Sequence, residues 1–346
     1  MTENRETVLV TGGTGFVGMQ IVFQLLQKGY KVKTTMRSLE SKDKLLETLK
    51  ANGIPSFENL SCIATELTKD DNWEEAMKDC KYVLSVASPV FFETPKDKNE
   101  AIRPAIEGIL RILKFAKKAD VKRVVMTSNF GAVGFSHFNK NIATTEDDWT
   151  NPNEKGLSVY EKSKTLAEKA AWDFIKSEGG NLEFTTINPV AILGTSLDAH
   201  VSGSFNILKH LLDGSMKAVP NIPLNIVDVR DVADLHIRAM ENPNAGGNRF
   251  IATSDGQISM PEIAALLKDK FPEFATKVST KKIPNFILNF ASLFSERAKE
   301  GALLLKVNRN VSNAKAKKIL GWTPISSQEQ AITAAMETMV KFGVIK

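Results

Sequence analysis

The first half of the chain alternates short apolar runs, rich in β-branched residues, with stretches whose apolar residues recur every three to four positions. The short runs have the length of buried strands, and the longer stretches have the period of amphipathic helices. The predicted strands are Thr7 to Thr11, Lys31 to Met36, Leu60 to Ala64, Tyr82 to Val86, Arg123 to Thr127 and Phe184 to Ile187. The predicted helices are Phe16 to Lys28, Lys42 to Asn52, Trp73 to Lys78, Asn99 to Ala119 and Leu157 to Ser177. This alternation predicts an α/β fold, with a doubly wound parallel sheet covered by helices on both faces.

The pattern loosens in the second half of the chain, where Gly, Pro and Ser accumulate between Leu193 and Pro223. The elements predicted after this segment are strands at Asn225 to Val227 and Asn248 to Ala252, and a helix at Val229 to Met240. Residues 258–320 are mostly helical in pattern and include an aromatic-rich stretch from Phe286 to Phe294. We expect this part to form a smaller C-terminal cap that folds against the sheet.

The composition is that of a globular protein with a large core. The chain has 346 residues, 42% of them hydrophobic, and a net charge of +5 in which basic and acidic residues are interleaved. Because no aromatic interleaving or reader motif accompanies the charge, no nucleic-acid binding is predicted. No apolar run reaches the length of about 18 residues that spans a bilayer, and no secretory signal is visible. The two cysteines and four histidines lack metal-ligand spacing, so no metal is predicted, and a cytoplasmic location is expected.

A glycine-rich turn joins the first predicted strand to the first predicted helix. It runs Thr11-Gly12-Gly13-Thr14-Gly15-Phe16-Val17-Gly18. Glycines at this spacing permit a tight turn, a close approach of backbone to a pyrophosphate, and close packing of helix on strand. The helix N-terminus adds unpaired N–H groups and a positive dipole end. We therefore predict a dinucleotide site that includes Gly12, Thr14, Gly15, Phe16, Val17 and Gly18.

The end of the second predicted strand indicates which dinucleotide is bound. A carboxylate at this place binds a ribose diol, whereas an arginine binds a 2′-phosphate. Here the strand ends in Arg37-Ser38, with Lys42 and Lys44 just beyond, and no acid occupies Met36 or Arg37. The guanidinium can fork onto phosphate oxygens, so NADP is predicted over NAD, with Arg37 and Lys44 in its site.

Tyr160 and Lys164 have the spacing that places two side chains on one face of a helix. An ammonium close to a phenol favours the phenolate, and would lower the pKa of the tyrosine from about 10 toward neutrality. A phenol of this kind can exchange a proton with a substrate oxygen. The spacing alone is common in helices, so its meaning depends on the glycine turn and on further motifs.

With these motifs the chain resembles the extended short-chain dehydrogenase/reductase family, in the branch of dihydroflavonol 4-reductases, cinnamoyl-CoA reductases and microbial aldehyde reductases. The resemblance covers nearly the whole chain. Beyond the glycine turn and the Tyr160–Lys164 pair, it rests on Val86-Ala87-Ser88-Pro89, Ile102-Arg103-Pro104-Ala105-Ile106-Glu107-Gly108, Asn188-Pro189, Val227-Asp228-Val229-Arg230-Asp231-Val232-Ala233 and Leu320-Gly321-Trp322-Thr323-Pro324.

The resemblance implies a Rossmann domain formed by residues 1–190, completed by about 225–253 and the C-terminal helix. Residues 191–224 and 254–325 would form the substrate-binding cap. By the same resemblance, Tyr160 is the general acid, while Lys164 holds the nicotinamide ribose and lowers the tyrosine pKa. The other residues assigned to the cofactor are Glu66, Leu67, Ala87, Ser88, Asn188, Pro189 and Val190.

One position departs from the family pattern. Relatives usually carry Thr-Ser-Ser before a Gly-Ala/Thr-Val stretch, and their second serine hydrogen-bonds the substrate oxygen. This chain has Thr127-Ser128-Asn129, so alignment on the glycine at position 131 places Asn129 there. An asparagine amide can donate to a developing alkoxide, whereas Ser128 would serve if the loop shifts by one residue. Both residues stay candidates for the third catalytic position.

The resemblance implies an NADPH-dependent reductase of aldehydes or ketones. Gly134 stands where flavonoid reductases carry a substrate-binding asparagine, which argues against a flavonoid. Phe91, Phe92, Phe130 and Phe135 are candidates for an apolar or aromatic-tolerant pocket wall, or alternatively for core. The alternatives are a sugar-nucleotide epimerase or dehydratase with the same fold, and a sensor that binds NADP without turnover. The expected partner is a small carbonyl compound, and the chain is expected to be a monomer or a homodimer.

Overall fold

The computed structural model describes residues 6–89 and 98–345. Its strands are β1 (Thr7–Val10), β2 (Lys31–Met36), β3 (Leu60–Ala64), β4 (Tyr82–Ser85), β5 (Arg123–Thr127), β6 (Glu183–Pro189), β7 (Ala191–Leu193), β8 (Val219–Pro220), β9 (Pro223–Leu224), β10 (Ile226–Asp228), β11 (Arg249–Ala252), β12 (Ile258–Ser259) and β13 (Lys282–Ile283). Its α-helices are α1 (Phe16–Gln27), α2 (Lys42–Ala51), α3 (Trp73–Met77), α4 (Lys98–Lys118), α5 (Val159–Glu178), α6 (Asn206–Leu212), α7 (Val229–Glu241), α8 (Met260–Lys270), α9 (Asn285–Ala291), α10 (Glu296–Lys306), α11 (Ala314–Leu320) and α12 (Gln328–Lys341).

The central sheet has seven strands in the order β11-β6-β5-β4-β1-β2-β3. Every neighbouring pair in it is parallel, so helices must connect the strands across its faces. The strand order reverses at β1, which lies between β4 and β2. In open α/β sheets, ligands bind at the carboxyl ends of the strands beside this reversal. The doubly wound α/β fold predicted from the sequence is confirmed.

Alternate residues of β1 face opposite sides of the sheet. Val8 and Val10 belong to the core under α1, α2 and α7, whereas Leu9 belongs to the core under α4 and α5. Both cores are built from buried apolar side chains, which explains why the central strands are apolar runs rather than alternating patterns.

A separate core joins helices predicted as the cap to the C-terminal helix, which the sequence analysis assigned to the Rossmann domain. It is formed by apolar residues of α6, α8 and α12, and Phe16 at the start of α1 also belongs to it. The Phe16 ring meets the Phe205 ring edge to face, with 5.4 Å between the centroids. The helix that follows the glycine turn is therefore packed directly against this second core.

Short strand pairs in the second half were not predicted. The strand predicted at Asn225 to Val227 forms one residue later as β10, but it pairs with β7 in a sheet of its own. By contrast, β11 adds to the edge of the central sheet next to β6. The remaining pairs are β9 with β12 and β8 with β13. Within the described residues, no helix is long and apolar enough to cross a membrane.

Candidate active site

The glycine turn connects β1 to α1 at the point where the strand order reverses. Gly12 has φ +73°, a conformation that side chains other than glycine rarely adopt. A Cβ on Gly18 would collide with the carbonyl oxygen of Gly12, so the helix can approach the turn this closely only with glycine there. No side chain caps the N-terminus of α1, where Gly15 is the N-cap residue. The N–H groups of this first helical turn are thus available to an anion.

Thr11 holds the two strands beside the reversal together. Its Oγ1 accepts hydrogen bonds from the backbone N–H groups of Val86 and Ala87, each at 2.9 Å. A cavity opens beside this contact, and four residues assigned to the cofactor lie in its wall: Leu67, Ala87, Ser88 and Lys164. The structure therefore brings the end of β4, the segment after β3 and the lysine of α5 to one place.

Beyond β2, Arg37 is exposed, and no ion pair within 4.0 Å involves it in the described part of the chain. Lys44 instead pairs with Asp198, with 3.5 Å between Nζ and Oδ2. Glu66 pairs with Lys69 at 3.1 Å. Of the two cations predicted for a 2′-phosphate, only Arg37 is without such a partner.

Tyr160 and Lys164 lie at the N-terminal end of α5. The helix begins at Val159, and its N-cap Ser158 accepts a hydrogen bond through Oγ from Glu161 N at 3.3 Å. Lys164 Nζ lies 5.8 Å from the centroid of the Tyr160 ring. Tyr160 is 38% exposed, whereas Lys164 is buried and reaches the cavity wall. The predicted pair is thus formed, with the lysine below the phenol.

The pKa of Tyr160 moves in the opposite direction from the one expected. Burial of the hydroxyl raises it above the usual 10, and the Glu161 carboxylate adds to the rise, although a side-chain hydrogen bond with Asn129 lowers it. Lys164 is itself buried, which lowers its pKa to about 8, while Glu168 raises it. The prediction that Lys164 brings the tyrosine toward neutrality is therefore wrong here, because desolvation of the phenol is the largest effect on its pKa and Lys164 does not offset it.

The side chains of Ser128 and Asn129 take part in different contacts. Ser128 is 2% exposed, and its Oγ donates to Glu168 Oε2 at 2.5 Å. Asn129 hydrogen-bonds to Tyr160 through its side chain, and its Oδ1 accepts from Gly131 N at 2.5 Å. Asn129 thus meets the tyrosine, and Ser128 is held behind it.

Glu168, which the sequence analysis missed, joins several site residues from behind. The carboxylate is fully buried and accepts hydrogen bonds from Ser128, Asn188, Thr186, Trp172 and Arg249. Its bond from Asn188 Nδ2 is 2.7 Å long, and Asn188 also donates to the carbonyl oxygen of Asn129 at 3.3 Å. Because Glu168 follows Lys164 by one helical turn, it also supplies a negative charge near that ammonium.

The side chain of Arg249 neutralises Glu168. Its Nε donates to Glu168 Oε1 at 2.7 Å, and Nη1 donates to the carbonyl oxygens of Glu146 and Asp148, also at 2.7 Å. The guanidinium carbon lies 3.7 Å from the centroid of the Trp149 ring. A buried acid and a basic residue spaced 81 positions apart carried no local signal in the sequence.

The aromatic residues proposed for a pocket wall are only partly described. Phe130 and Phe135 are buried at 2% and 9% exposure, with their ring centroids 6.1 Å apart. A Cβ at Gly134 would collide with the Phe130 ring, which explains the small residue there. Phe91 and Phe92 lie outside the described residues. The described chain also contains no group of three or more His, Cys, Asp or Glu placed to hold a metal ion.

Comparison with known proteins assigns the chain to a family. The model of the 3-beta hydroxysteroid dehydrogenase/isomerase family matches residues 9–252. Anthocyanidin reductase of Vitis vinifera is 33% identical over 288 residues, which cover 78% of this chain and 82% of that protein. Dihydroflavonol 4-reductase of Gerbera hybrida is 34% identical over 277 residues, covering 78% and 73% of the two chains.

Among solved structures, the yeast methylglyoxal/isovaleraldehyde reductase complexed with NADPH superposes with a TM-score of 0.80 at 27% identity. The superposition covers 98% of this chain and 99% of that one. The resemblance inferred from the motifs is thereby confirmed. The chain belongs to the 3-beta hydroxysteroid dehydrogenase/isomerase family within the extended short-chain dehydrogenases/reductases, and it is an oxidoreductase.

Proposed function

We propose that this protein is an NADPH-dependent reductase that converts an aldehyde or ketone to the alcohol, with Tyr160 as the proton donor. The observation that carries the proposal is the phenol of Tyr160 on the exposed side of α5, with the Lys164 ammonium beneath it in a cavity wall shared with Ala87 and Ser88. This arrangement provides an acid beside a site that fits a dinucleotide.

The fit to a dinucleotide rests on the turn itself. The uncapped start of α1 offers N–H groups to a pyrophosphate, and Gly12 and Gly18 leave no side chain in the way. Arg37 stands exposed at the end of β2 for a 2′-phosphate, and the solved yeast relative holds NADPH. The cofactor is therefore NADP(H), which when bound supplies a hydride for the carbonyl carbon.

The residues of this chain handle the proton. Because its pKa is raised, Tyr160 carries its proton at neutral pH and can donate it to the carbonyl oxygen as that oxygen becomes negative. Lys164 then stabilises the phenolate by its charge. We assign to Asn129 the role that relatives give to serine, donation from its amide to the same substrate oxygen, and its side-chain hydrogen bond to Tyr160 supports this assignment.

The test is NADPH oxidation against aliphatic, aromatic and diketone carbonyl compounds, repeated with NADH. Removing the acid in Tyr160→Phe is expected to lower kcat by about 10²- to 10⁴-fold. Binding of NADPH, measured by fluorescence, should change little, since Arg37 and the glycine turn are intact. The matched control is Tyr82→Phe, which alters a buried tyrosine of β4 away from α5.

Three results would count against the proposal. Turnover that survives in Tyr160→Phe would remove the tyrosine from the chemistry. Wild-type protein that binds NADPH but reduces no compound in the panel would favour a sensor. Protein that is purified with NAD bound and does not oxidise added NADPH would favour an epimerase or dehydratase.

A further inference from the structure

Arg309 lies in a segment whose backbone is fixed by other parts of the chain. The residue before it donates from its backbone N–H to His137 O at 2.9 Å, and the residue after it accepts from Thr144 N at 2.8 Å. The carbonyl oxygen of Arg309 accepts from Asn225 Nδ2 at 3.1 Å. These hydrogen bonds fix the backbone position of Arg309, and none of them involves its guanidinium.

The guanidinium of Arg309 is buried without an ion pair. Only 7% of the residue is exposed, and its Nε has no hydrogen-bond partner in the described chain. None of the ion pairs within 4.0 Å among the described residues includes it. Its carbon lies 5.7 Å from the centroid of the Phe130 ring and 5.5 Å from that of Phe135. A buried charge left in this way is costly, so a partner is expected.

The acidic groups near Arg309 do not fully compensate its charge at neutral pH. Glu161 is the acid whose charge acts on Arg309, and it comes from α5. Burial, with a smaller contribution from the charge of Glu300 on α10, raises the pKa of Glu161 to about 7, against the opposing effect of Arg309. Burial lowers the pKa of Arg309 to about 10, so at neutral pH the arginine is charged and Glu161 is only partly so.

The position of this cation relates it to the proposed chemistry. Phe130 directly follows Asn129, and Glu161 directly follows Tyr160. The Glu161 side chain also packs on the turn after Asn129, because a Cβ on Gly131 would lie 2.6 Å from Glu161 Cγ. Arg309 therefore lies beside the Phe130 ring and feels the charge of Glu161, and these two residues are the immediate neighbours of both side chains expected to meet the carbonyl oxygen.

We propose that Arg309 binds a carboxylate of the substrate, so that the preferred substrates are oxo acids with their carboxylate at the end remote from the reacting carbonyl. The proposal rests on the reductase function proposed above. A planar guanidinium matches a carboxylate with two parallel hydrogen bonds. The Phe130 and Phe135 rings lie beside the guanidinium and offer its charge no acidic partner. One unpaired cation balances one negative charge, which favours a carboxylate over a phosphate dianion.

The test compares substrates that differ only in charge. 4-Carboxybenzaldehyde and its neutral methyl ester are assayed with NADPH, together with ω-oxo acids of increasing length and the parent aldehydes. Wild-type protein is expected to favour the carboxylates by about 10- to 100-fold in kcat/KM, the size of a charged hydrogen-bonded contact. Arg309→Met should abolish this preference while changing kcat/KM for the neutral compounds by less than about 3-fold. Arg309→Lys should restore part of it.

The control variant is Arg238→Met, which removes a partly exposed arginine paired with Asp234 on α7. It should leave the preference unchanged. Glu161→Gln should increase the preference, because it removes the acid that competes for Arg309, and it serves if Arg309→Met fails to fold. Equal losses for acids and esters in Arg309→Met, or no preference in the wild type, would overturn the proposal.

A readout without turnover separates this proposal from the reductase function. Benzoate binding to the NADPH-loaded protein is measured by titration calorimetry. Binding by the wild type that Arg309→Met loses would support the carboxylate site even if no carbonyl compound were reduced. Equal affinity of the two proteins for benzoate would contradict it, whatever the activity assays give.

Discussion

Arg249 and Arg309 are each 7% exposed, yet their surroundings are opposite. Arg249 forms an ion pair with the fully buried Glu168, donates to three backbone carbonyl oxygens and stacks on Trp149. Arg309 has two aromatic rings beside it, and its Nε has no hydrogen-bond partner in the part of the chain that the structure describes. The two arginines are thus equally buried, and they differ in whether an acidic group and hydrogen-bond acceptors compensate the guanidinium charge.

This difference in charge compensation indicates that Arg249 has a structural role and that Arg309 is available to bind a ligand. Arg249 completes a network around the fully buried Glu168, and this network fixes Ser128 and Asn188 behind the site. A buried ion pair of this kind holds its residues in one arrangement, because removing one partner leaves the other charge buried and uncompensated. The free energy lost in that way is far larger than the net stability that the intact pair contributes. An unpaired buried charge gives no such order, so its presence next to the site is better explained by a ligand that it binds.

The largest expected effect comes from breaking the scaffold. Glu168→Ala leaves Arg249 buried without its acid and should lower the free energy of unfolding by about 3–5 kcal/mol. The matched control is Arg309→Met, which breaks no ion pair among residues 6–89 and 98–345 and should cost less than about 1 kcal/mol. Urea unfolding of both variants measures the contrast. Equal losses would show that the two arginines do not differ in the way described.

The double variant Glu168→Ala with Arg249→Met sharpens this result. Removing both charges should recover part of the stability lost in Glu168→Ala, because no buried ion is then left alone. If the double variant loses the sum of the unfolding free energies that the two single variants lose, Glu168 does not compensate the charge of Arg249.

A smaller effect should separate the two candidates for the third catalytic position. Ser128 belongs to the Glu168 network and Asn129 contacts Tyr160. Asn129→Ala is expected to lower kcat by about 10²-fold, the loss of one donor to a developing oxyanion. Ser128→Ala should mainly lower stability. A kcat loss confined to the Ser128 variant would exclude Asn129 from the role.

The smallest effect is a pH dependence of stability beside Arg309. The pKa of Glu161 is raised from the usual 4.5 to about 7. A raised folded-state pKa contributes stability that is fully present below the ordinary pKa and is lost as pH rises through the folded one. Tm of the wild type should therefore fall relative to Glu161→Gln between pH 4.5 and about 7.

Asp231, whose pKa is raised to about 6, also makes Tm fall with rising pH, and it does so equally in the wild type and in Glu161→Gln. Subtracting the Tm curve of the variant from that of the wild type therefore isolates the contribution of Glu161. A difference curve that is flat across this range would show that the pKa of Glu161 is not raised. Glu161 would then be ionised at neutral pH and would compensate the charge of Arg309.

Much of the fold could be predicted because it depends on contiguous residues. The strand Arg123–Thr127 was predicted to the residue, and α1 begins at the predicted Phe16. Short strands such as Ala191–Leu193 were missed, because three residues give no period to detect and their pairing partner lies more than 30 positions away. The same limit applies to the Glu168–Arg249 pair.

The amino-acid sequence was enough to predict the order of strands and helices, the glycine turn and the shared helix face of Tyr160 and Lys164. These features follow from backbone conformation and helical period, which neighbouring residues set. Three features depend on tertiary packing: the hydrogen bond from Ser128 to Glu168, the raised pKa of Tyr160, and the burial of Arg309 with no partner for its Nε among the described residues. Each of these depends on the desolvation and partners that distant elements impose when they pack, and no local pattern records them.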